Sequence, residues 1–209
     1  MEEQLEVYDM ASNLLGVEPR QKFYDEARAD GRKTGFINKK LKGVRLLLMN
    51  SHGRIYLQKR SKAKMHNPGY YDKTVGGHVT AGDSFDLTII KECAEELGFP
   101  MSVLPSEEFN NAICNTDLSV VGVCHALEYV DNYEVHNDYD ETMIKQTFMN
   151  TTYIGYFDGA IRFVDGESCG IEVFSLEELE HDIQENPNKF TEDIKSMITK
   201  YRDQLVPIA

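Results

Sequence analysis

Residues 44–49 form an apolar run, Asn50-Ser51-His52-Gly53 supplies turn-forming types, and residues 54–60 alternate polar with apolar positions. That pattern predicts a β-hairpin. Residues 62–69 are polar and end in Asn67-Pro68-Gly69, a turn signal that predicts a loop. The period then changes. Leu87, Ile90, Ala94 and Leu97 recur at steps of three and four, which predicts a helix over 84–97 with that stripe toward the core. Asp83 or Ser84 can cap its start and Gly98 can end it. Residues 119–130, 145–157 and 171–174 read as strands. Ser175-Leu176-Glu177-Glu178 has the capping-box pattern of a helix start. A last helix is expected from Asn186-Pro187, with Phe190, Ile194, Met197, Ile198, Tyr201 and Leu205 as its core stripe.

Upstream the pattern is weaker. Residues 1–40 read as an N-terminal extension with an edge strand at 5–8, a turn at 13–16 and a basic connecting loop at 33–42. The main domain is therefore expected over 41–209 as an α/β fold. Residues 131–141 hold five acidic side chains and no lysine or arginine, and such runs usually face water. A solvated loop is expected there, with a substrate lid as the other reading.

Composition narrows the class. Hydrophobic residues make up 41% of the 209 and charged residues 27%, which suits one soluble domain with an extension. The formal net charge of −13 argues against nucleic acid or an anionic membrane as a general partner. A small anionic substrate stays compatible if a metal ion and a few basic side chains offset the local field. The sequence leaves homodimer formation open. Cys93, Cys114, Cys124 and Cys169 form no C-x-x-C pair, so neither a zinc knuckle nor a thioredoxin-like centre is indicated. The opening Met1-Glu2-Glu3-Gln4 lacks the basic and apolar stretches of a secretory leader, and no apolar run is long enough to span a membrane. A reducing, cytoplasmic setting is expected.

The chemistry concentrates in Gly77-His78-Val79-Thr80-Ala81-Gly82-Asp83 and Lys91-Glu92-Cys93-Ala94-Glu95-Glu96-Leu97-Gly98-Phe99. Glu92, Glu95 and Glu96 stand at i, i+3 and i+4, which share one face of an α-helix. Three carboxylates crowded there repel one another, but around a hard divalent cation they form an oxygen-rich site suited to Mg2+, with Mn2+ as the alternative.

This segment resembles the Nudix box, on whose pattern Gly77, Glu92, Cys93, Glu95, Glu96, Gly98 and Phe99 fall. The resemblance implies an α/β/α sandwich with a mixed sheet and a metal-dependent hydrolase of diphosphate linkages. It makes Glu92, Glu95 and Glu96 the metal-binding and catalytic residues, and Gly77, Asp83, Lys91 and Gly98 the structural positions of the box. Two positions depart from it: Asp83 stands where the family usually has Glu, and Lys91 where it usually has Arg, both keeping the charge sign. Lysine lacks the bidentate guanidinium fork, so a looser support of the box is expected. The general base is a box glutamate, Glu95 or Glu96, or an acidic residue elsewhere such as Glu134 or Glu141.

Weaker similarity extends over residues 6–180 to a subgroup that includes isopentenyl-diphosphate isomerases. It rests on Glu6-Val7-Tyr8-Asp9, Leu15-Gly16, Arg20, Lys59-Arg60-Ser61-Lys62, Pro68-Gly69-Tyr70-Tyr71 and Gly76-Gly77-His78. In those isomerases a catalytic Cys precedes the Gly-His pair, and here that position is Gly76. The metal-binding His expected near Leu41-Lys42-Gly43-Val44 is absent, and Gln146-Thr147-Phe148 replaces the Glu-x-Glu. Hydrolysis is therefore favoured over isomerisation, which needs a proton donor and acceptor at a metal site. A Nudix domain kept only as a binding module is the third reading. Lys59, Arg60 and His78 are the candidate substrate contacts, against an exposed strand end and a turn histidine bonded to backbone. Cys124-His125 reads as a packed core pair rather than a nucleophile and its base.

Overall fold

Strand β3 (Phe36–Met49) is the axis around which the chain is built. The computed structural model describes residues 2–62, 67–139, 142–162 and 168–208. β9 (Thr142–Tyr156) runs parallel to β3, and β8 (Gly122–Tyr139) runs antiparallel to β9. β7 (Met101–Val103) lies parallel to β8 at the edge. On the other side β4 (Ile55–Arg60) and then β10 (Ser168–Phe174) follow, giving the order β10-β4-β3-β9-β8-β7. β5 (Tyr71–Asp72) adds to β4 and β6 (Val75–His78) adds to β3. The hairpin of β1 (Gln4–Tyr8) and β2 (Leu14–Pro19) joins through Tyr8 against Lys40.

Alternation along β3 sends side chains to both faces. Val44, Leu46 and Leu48 pack under α2 (Phe85–Glu92) with Val75, Ile89, Cys93, Leu97 and Tyr153. Leu47 and Met49 face the other way, into a core shared with Leu179 of α4 (Leu176–Glu185) and Ile194, Met197 and Ile198 of α5 (Glu192–Lys200). A third cluster, with Phe23 and Ala27 of α1 (Arg20–Thr34) over Leu5, Val7, Leu41 and Ile144, seats the N-terminal residues on the sheet. Burying each such Leu, Ile or Phe contributes about 1.5–3 kcal/mol. The result is the expected mixed sheet between helical layers.

Several local expectations hold. β3 and β4 pair at Leu48/Tyr56 and Met49/Ile55. Ser84 Oγ accepts from Leu87 N at 3.1 Å, Gly98 closes the box helix at φ 73°, and Ser175 with Glu178 forms the capping box. The stripe from Phe190 to Leu205 is buried.

Others are corrected. The expected turn at 13–16 is the start of β2, and residues 20–34 form α1, a helix without a capping signal since no side chain caps it. The basic stretch at 33–42 is mostly the first half of β3, entered through Gly35 in the left-handed region at φ 79°. From α2 into the wider turn Cys93–Leu97 that continues it, buried apolar positions recur in steps of four, at Ile89, Cys93 and Leu97, while Leu87 is 41% exposed. The acidic stretch from 131 continues β8 to Tyr139, because Tyr133 and Val135 alternate with the exposed Asn132, Glu134 and His136 and so satisfy a strand period. The last helix begins later than Asn186-Pro187: Pro187–Lys189 makes one tight turn, and Thr191 caps α5 by accepting from Ile194 N at 3.3 Å.

Candidate active site

β6 is a short strand paired with β3, and it carries Gly76 and Gly77 on successive positions. Gly77 is required as glycine. A Cβ there would lie 1.9 Å from Glu92 Oε1, so the Glu92 carboxylate rests on the strand in space that any side chain would fill. After Glu92 the helix widens into a π-turn, Cys93–Leu97. In a turn closed by i→i+5 bonds each residue advances less around the axis than in an α-helix. Glu96 then stays near the Glu92 side, whereas Glu95 is carried away from it.

The burial pattern agrees. Glu96 is 6% exposed and accepts from Gln58 Nε2 at 3.4 Å, while Glu95 is exposed. The expected single face of three carboxylates is thus corrected to an inward pair, Glu92 and Glu96, with Glu95 outside it. Among the described residues no three His, Cys, Asp or Glu side chains come close enough together to hold a metal ion. The donor chemistry still fits one: two carboxylates turned toward the sheet, one in a cradle that only glycine leaves open, offer oxygen alone, as a hard divalent cation requires.

The two departures from the box pattern meet each other. Lys91 Nζ lies 2.6 Å from Asp83 Oδ2, so the Asp/Lys pair ties the loop before α2 to its last turn. Cys93 is buried in the core; burial raises its thiol pKa, and Cys124, Glu96 and Glu92 add to the rise, which keeps it neutral. Cys124 is likewise held neutral, by burial and by Asp86. Being successive on a strand, Cys124 and His125 point to opposite faces: Cys124 enters the core under α2, and the His125 ring lies tilted against Phe109 with centroids 4.2 Å apart. They do not form a nucleophile–base pair.

On the opposite side of β6 the structure assembles charges that sequence spacing did not bring together. A Cβ at Gly76 would lie 2.3 Å from Lys73 Cε, so the Lys73 stem covers this glycine. Lys73 Nζ reaches Asp193 of α5 at 2.8 Å and Asp72 at 3.4 Å. Asp72 also accepts from Arg60 at 3.1 Å and from Thr191 at 2.8 Å. Asp193 in turn accepts from Arg45 at 2.7 Å and from the Tyr133 hydroxyl. Arg45 is fixed further by Asn150 at 2.9 Å and Thr152 at 2.6 Å, and lies 3.8 Å over the Tyr133 ring. Burial opposes the charge of Asp193, but Lys73 and Arg45 outweigh it and hold its pKa below the usual carboxylate range. For Lys73, burial pulls the pKa down and Asp193 with Asp72 more than restores it, so it stays cationic.

Of the expected substrate contacts, Arg60 belongs to this cluster. Lys59 packs against the Tyr71 ring at 5.1 Å. His78 neither bonds to backbone nor joins the box carboxylates: its Nε2 lies 2.6 Å from the Tyr24 hydroxyl of α1, beside Phe148. Burial, aided by Arg20, pushes its pKa down to about 3, so the ring is neutral. Glu134 pairs with Lys145 at 2.8 Å on the β8–β9 ribbon, and Glu141 lies outside the described residues. Arg45 had a sequence signal, a charge inside an apolar strand; Lys73, Gln58 and Asp193 had none.

Comparison with known proteins shows the family. The family model for the NUDIX domain matches residues 39–194. The chain is 39% identical over 77 residues to an uncharacterized Nudix hydrolase of Pseudomonas aeruginosa, covering 37% of this chain and 44% of that one. It is 33% identical over 90 residues to a prenyl-diphosphate phosphatase of Methanosarcina mazei, covering 43% and 46%. Both matches thus span less than half of the relative. A third, at 21% identity over 191 residues, is to an isopentenyl-diphosphate Delta-isomerase of Serratia proteamaculans and covers 91% and 87%. The crystal structure of a Deinococcus radiodurans protein shares the fold, with a TM-score of 0.63 at 16% identity over 95% of this chain and 98% of that one. With a family match that spans most of the chain and a box glutamate seated on its glycine, this protein belongs to the Nudix family.

Proposed function

We propose that the protein is a Mg2+-dependent hydrolase that cleaves the phosphoanhydride linkage of a nucleoside diphosphate or another small organic diphosphate. The observation that carries this reading is the Glu92 carboxylate held in the Gly77 cradle, with Glu96 turned the same way. Glu92 and Glu96 would hold the metal, with the exposed Glu95 as the third candidate carboxylate and Mn2+ as an alternative ion. Such an ion polarises the phosphoryl oxygens, offsets charge in the transition state and lowers the pKa of a bound water. The chain's own residues fix the carboxylates: Gly77 leaves the room, Gln58 donates to Glu96, and Lys91 with Asp83 ties down the helix. Water adds across the bridging P–O bond and each product keeps a phosphate end. A box glutamate left off the metal is the candidate base. The name of the Methanosarcina mazei relative supports a diphosphate substrate.

Isomerisation is disfavoured on this chain. The position where the isomerases carry their cysteine is Gly76, covered by the Lys73 stem, and Gln146 and Thr147 are buried in β9. A pure binding module is disfavoured because the chain keeps all three box glutamates, Glu92, Glu95 and Glu96, at the spacing of the catalytic box. Partners other than a small substrate are not required, and no helix of the described residues is long and apolar enough to cross a membrane. The test is a panel of diphosphates, ADP, ADP-ribose and dimethylallyl diphosphate among them, assayed with and without Mg2+ for release of phosphate or a monophosphate. Mg2+-dependent release supports the reading. Conversion of isopentenyl to dimethylallyl diphosphate without hydrolysis contradicts it.

A further inference from the structure

We propose that Glu6 is a positioning residue: from β1 it fixes loop 79–84, which joins the Gly77 cradle to the box helix, and so keeps the Glu92 carboxylate seated for its metal. This rests on the diphosphate-hydrolase reading above.

Loop 79–84 lies between β6 and α2 and makes only an isolated bridge, Thr80 with Leu5. Its shape therefore depends on the groups that accept from its N–H donors. Val79 N donates to the Lys42 carbonyl at 3.1 Å, Ala81 N to the Gln4 carbonyl at 2.7 Å and Gly82 N to Glu6 Oε1 at 3.3 Å. Gly82 turns the chain through the left-handed region at φ 87°, which glycine adopts without strain. The next residue, Asp83, meets Lys91 at 2.6 Å, and Lys91 directly precedes Glu92. A strand that lies before the matched residues 39–194 is thus tied, through this loop, to both sides of the Glu92 seat.

The setting of Glu6 suits that task. Alternation puts Leu5 and Val7, each 1% exposed, in the cluster under α1 and turns Glu6 to the other face. Glu6 Oε2 accepts from Lys42 Nζ at 2.8 Å and from the Tyr8 hydroxyl at 2.5 Å, which leaves Oε1 to the loop. Those two donors also hold its carboxyl below the usual carboxylate range, so it is anionic at neutral pH. A hydrogen bond to an ionised acceptor is about twice as strong as one between neutral groups. Lys42 holds the loop twice, through its carbonyl at Val79 and through Glu6 at Gly82.

The competing account is that Glu6 only pairs with Lys42 to fasten β1 on the sheet. Glu6→Ala and Lys42→Met separate the two, since both remove the ion pair but Lys42→Met leaves Glu6 its bonds to Tyr8 and Gly82. Amide exchange is followed by NMR in the metal-free protein. Thermal melts with and without Mg2+ and the Mg2+ dependence of hydrolysis of the best diphosphate in the panel, taken well below the melting temperature, accompany it. In Glu6→Ala the Gly82 amide should exchange roughly tenfold faster or more, the usual effect of losing one hydrogen bond to a charged group. Amides of Leu46 and Leu48 in β3 should keep their wild-type rates, and the half-activating Mg2+ concentration should rise by a similar factor. Lys42→Met should move both readouts the same way but less. If Glu6→Ala does not fold, Glu6→Gln is measured instead and should shift both in the same direction by a smaller factor. Unchanged Gly82 exchange or an unchanged Mg2+ requirement in the folded Glu6 variant, or equal effects in Glu6→Ala and Lys42→Met, overturns the role of Glu6 and leaves the hydrolase reading standing. A wild type that hydrolyses no diphosphate and gains no stability from Mg2+ overturns that reading, and this inference with it.

Discussion

On one side of β6 the chemistry comes from a single continuous segment, 77–99; on the other the charges are assembled from β3, β4, β5, the link between β5 and β6, and α5. The first side is a cradle and a helix end: Glu92 on Gly77, and Glu96 beside Gln58. The second is an alternating charge cluster, Arg45, Asp193, Lys73, Asp72 and Arg60. The difference has a consequence for energetics. In the proposed function Glu92 and Glu96 serve a cation, so removing one is expected to harm chemistry more than fold. Charges that pair with each other in a buried setting hold the fold, so removing one leaves a desolvated partner.

The largest effect expected on that contrast is at Asp193. Asp193→Ala strips Arg45 and Lys73 of their shared partner and should cost about 3–5 kcal/mol, read as a lower urea midpoint at unchanged slope. A loss under about 1 kcal/mol would show that the cluster does not hold the fold. Next is Gly77→Ala, which pushes Glu92 from its cradle. Hydrolysis should drop by about 10²–10³ with a smaller change in stability, because the methyl meets a movable carboxylate rather than backbone; retained activity would remove Glu92 from the site.

The pH dependence at His78 is smaller. Its folded pKa of about 3 lies below the unfolded value of about 6.5, so the unfolded chain takes up the proton first. The stability from neutral His78 is complete above about pH 6.5 and is lost as pH falls toward about 3. Wild type should lose about 2 kcal/mol more than His78→Gln between pH 7 and pH 5, measured by denaturant titration. Equal losses would mean that His78 titrates freely. Smallest of all, Leu87→Ser should change stability by less than about 0.5 kcal/mol, because Leu87 is 41% exposed and not on the core stripe.

Those ranks follow from what was legible in the sequence. The box was readable because Gly77, Glu92, Glu95 and Glu96 interact within one strand–loop–helix unit, where spacing fixes geometry. Even there the spacing misled at Glu95, since the i, i+3, i+4 rule assumes an α-helix and residues 93–97 form a π-turn. The apolar runs of β3 and β4 and the stripe of α5 were readable from periodicity. α1 was not: its face of Phe23, Ala27 and Gly31 carries little apolar contrast, and its start lacks a cap. The first half of β8 is readable as a strand, but from 131 to 139 its charged residues obscure the alternation and the stretch reads as a loop. Lys73 and Asp193 lie far apart in the chain, and no local rule brings them to one bond.

The most direct test of the account is the thermal melt of wild type, Glu92→Gln and Glu96→Gln, with and without Mg2+, beside diphosphate hydrolysis. Each variant keeps size and removes one charge. Without metal, both should melt at the wild-type temperature or slightly above it, since like-charge repulsion of a few tenths of a kcal/mol is relieved. With Mg2+, wild type should gain stability and the variants less, because an ion that binds only the folded state stabilises it by mass action. Hydrolysis should fall in the variants by about 10²–10³. Equal Mg2+ shifts in all three proteins, or full activity in either variant, would contradict the assignment of Glu92 and Glu96 as the metal-holding pair.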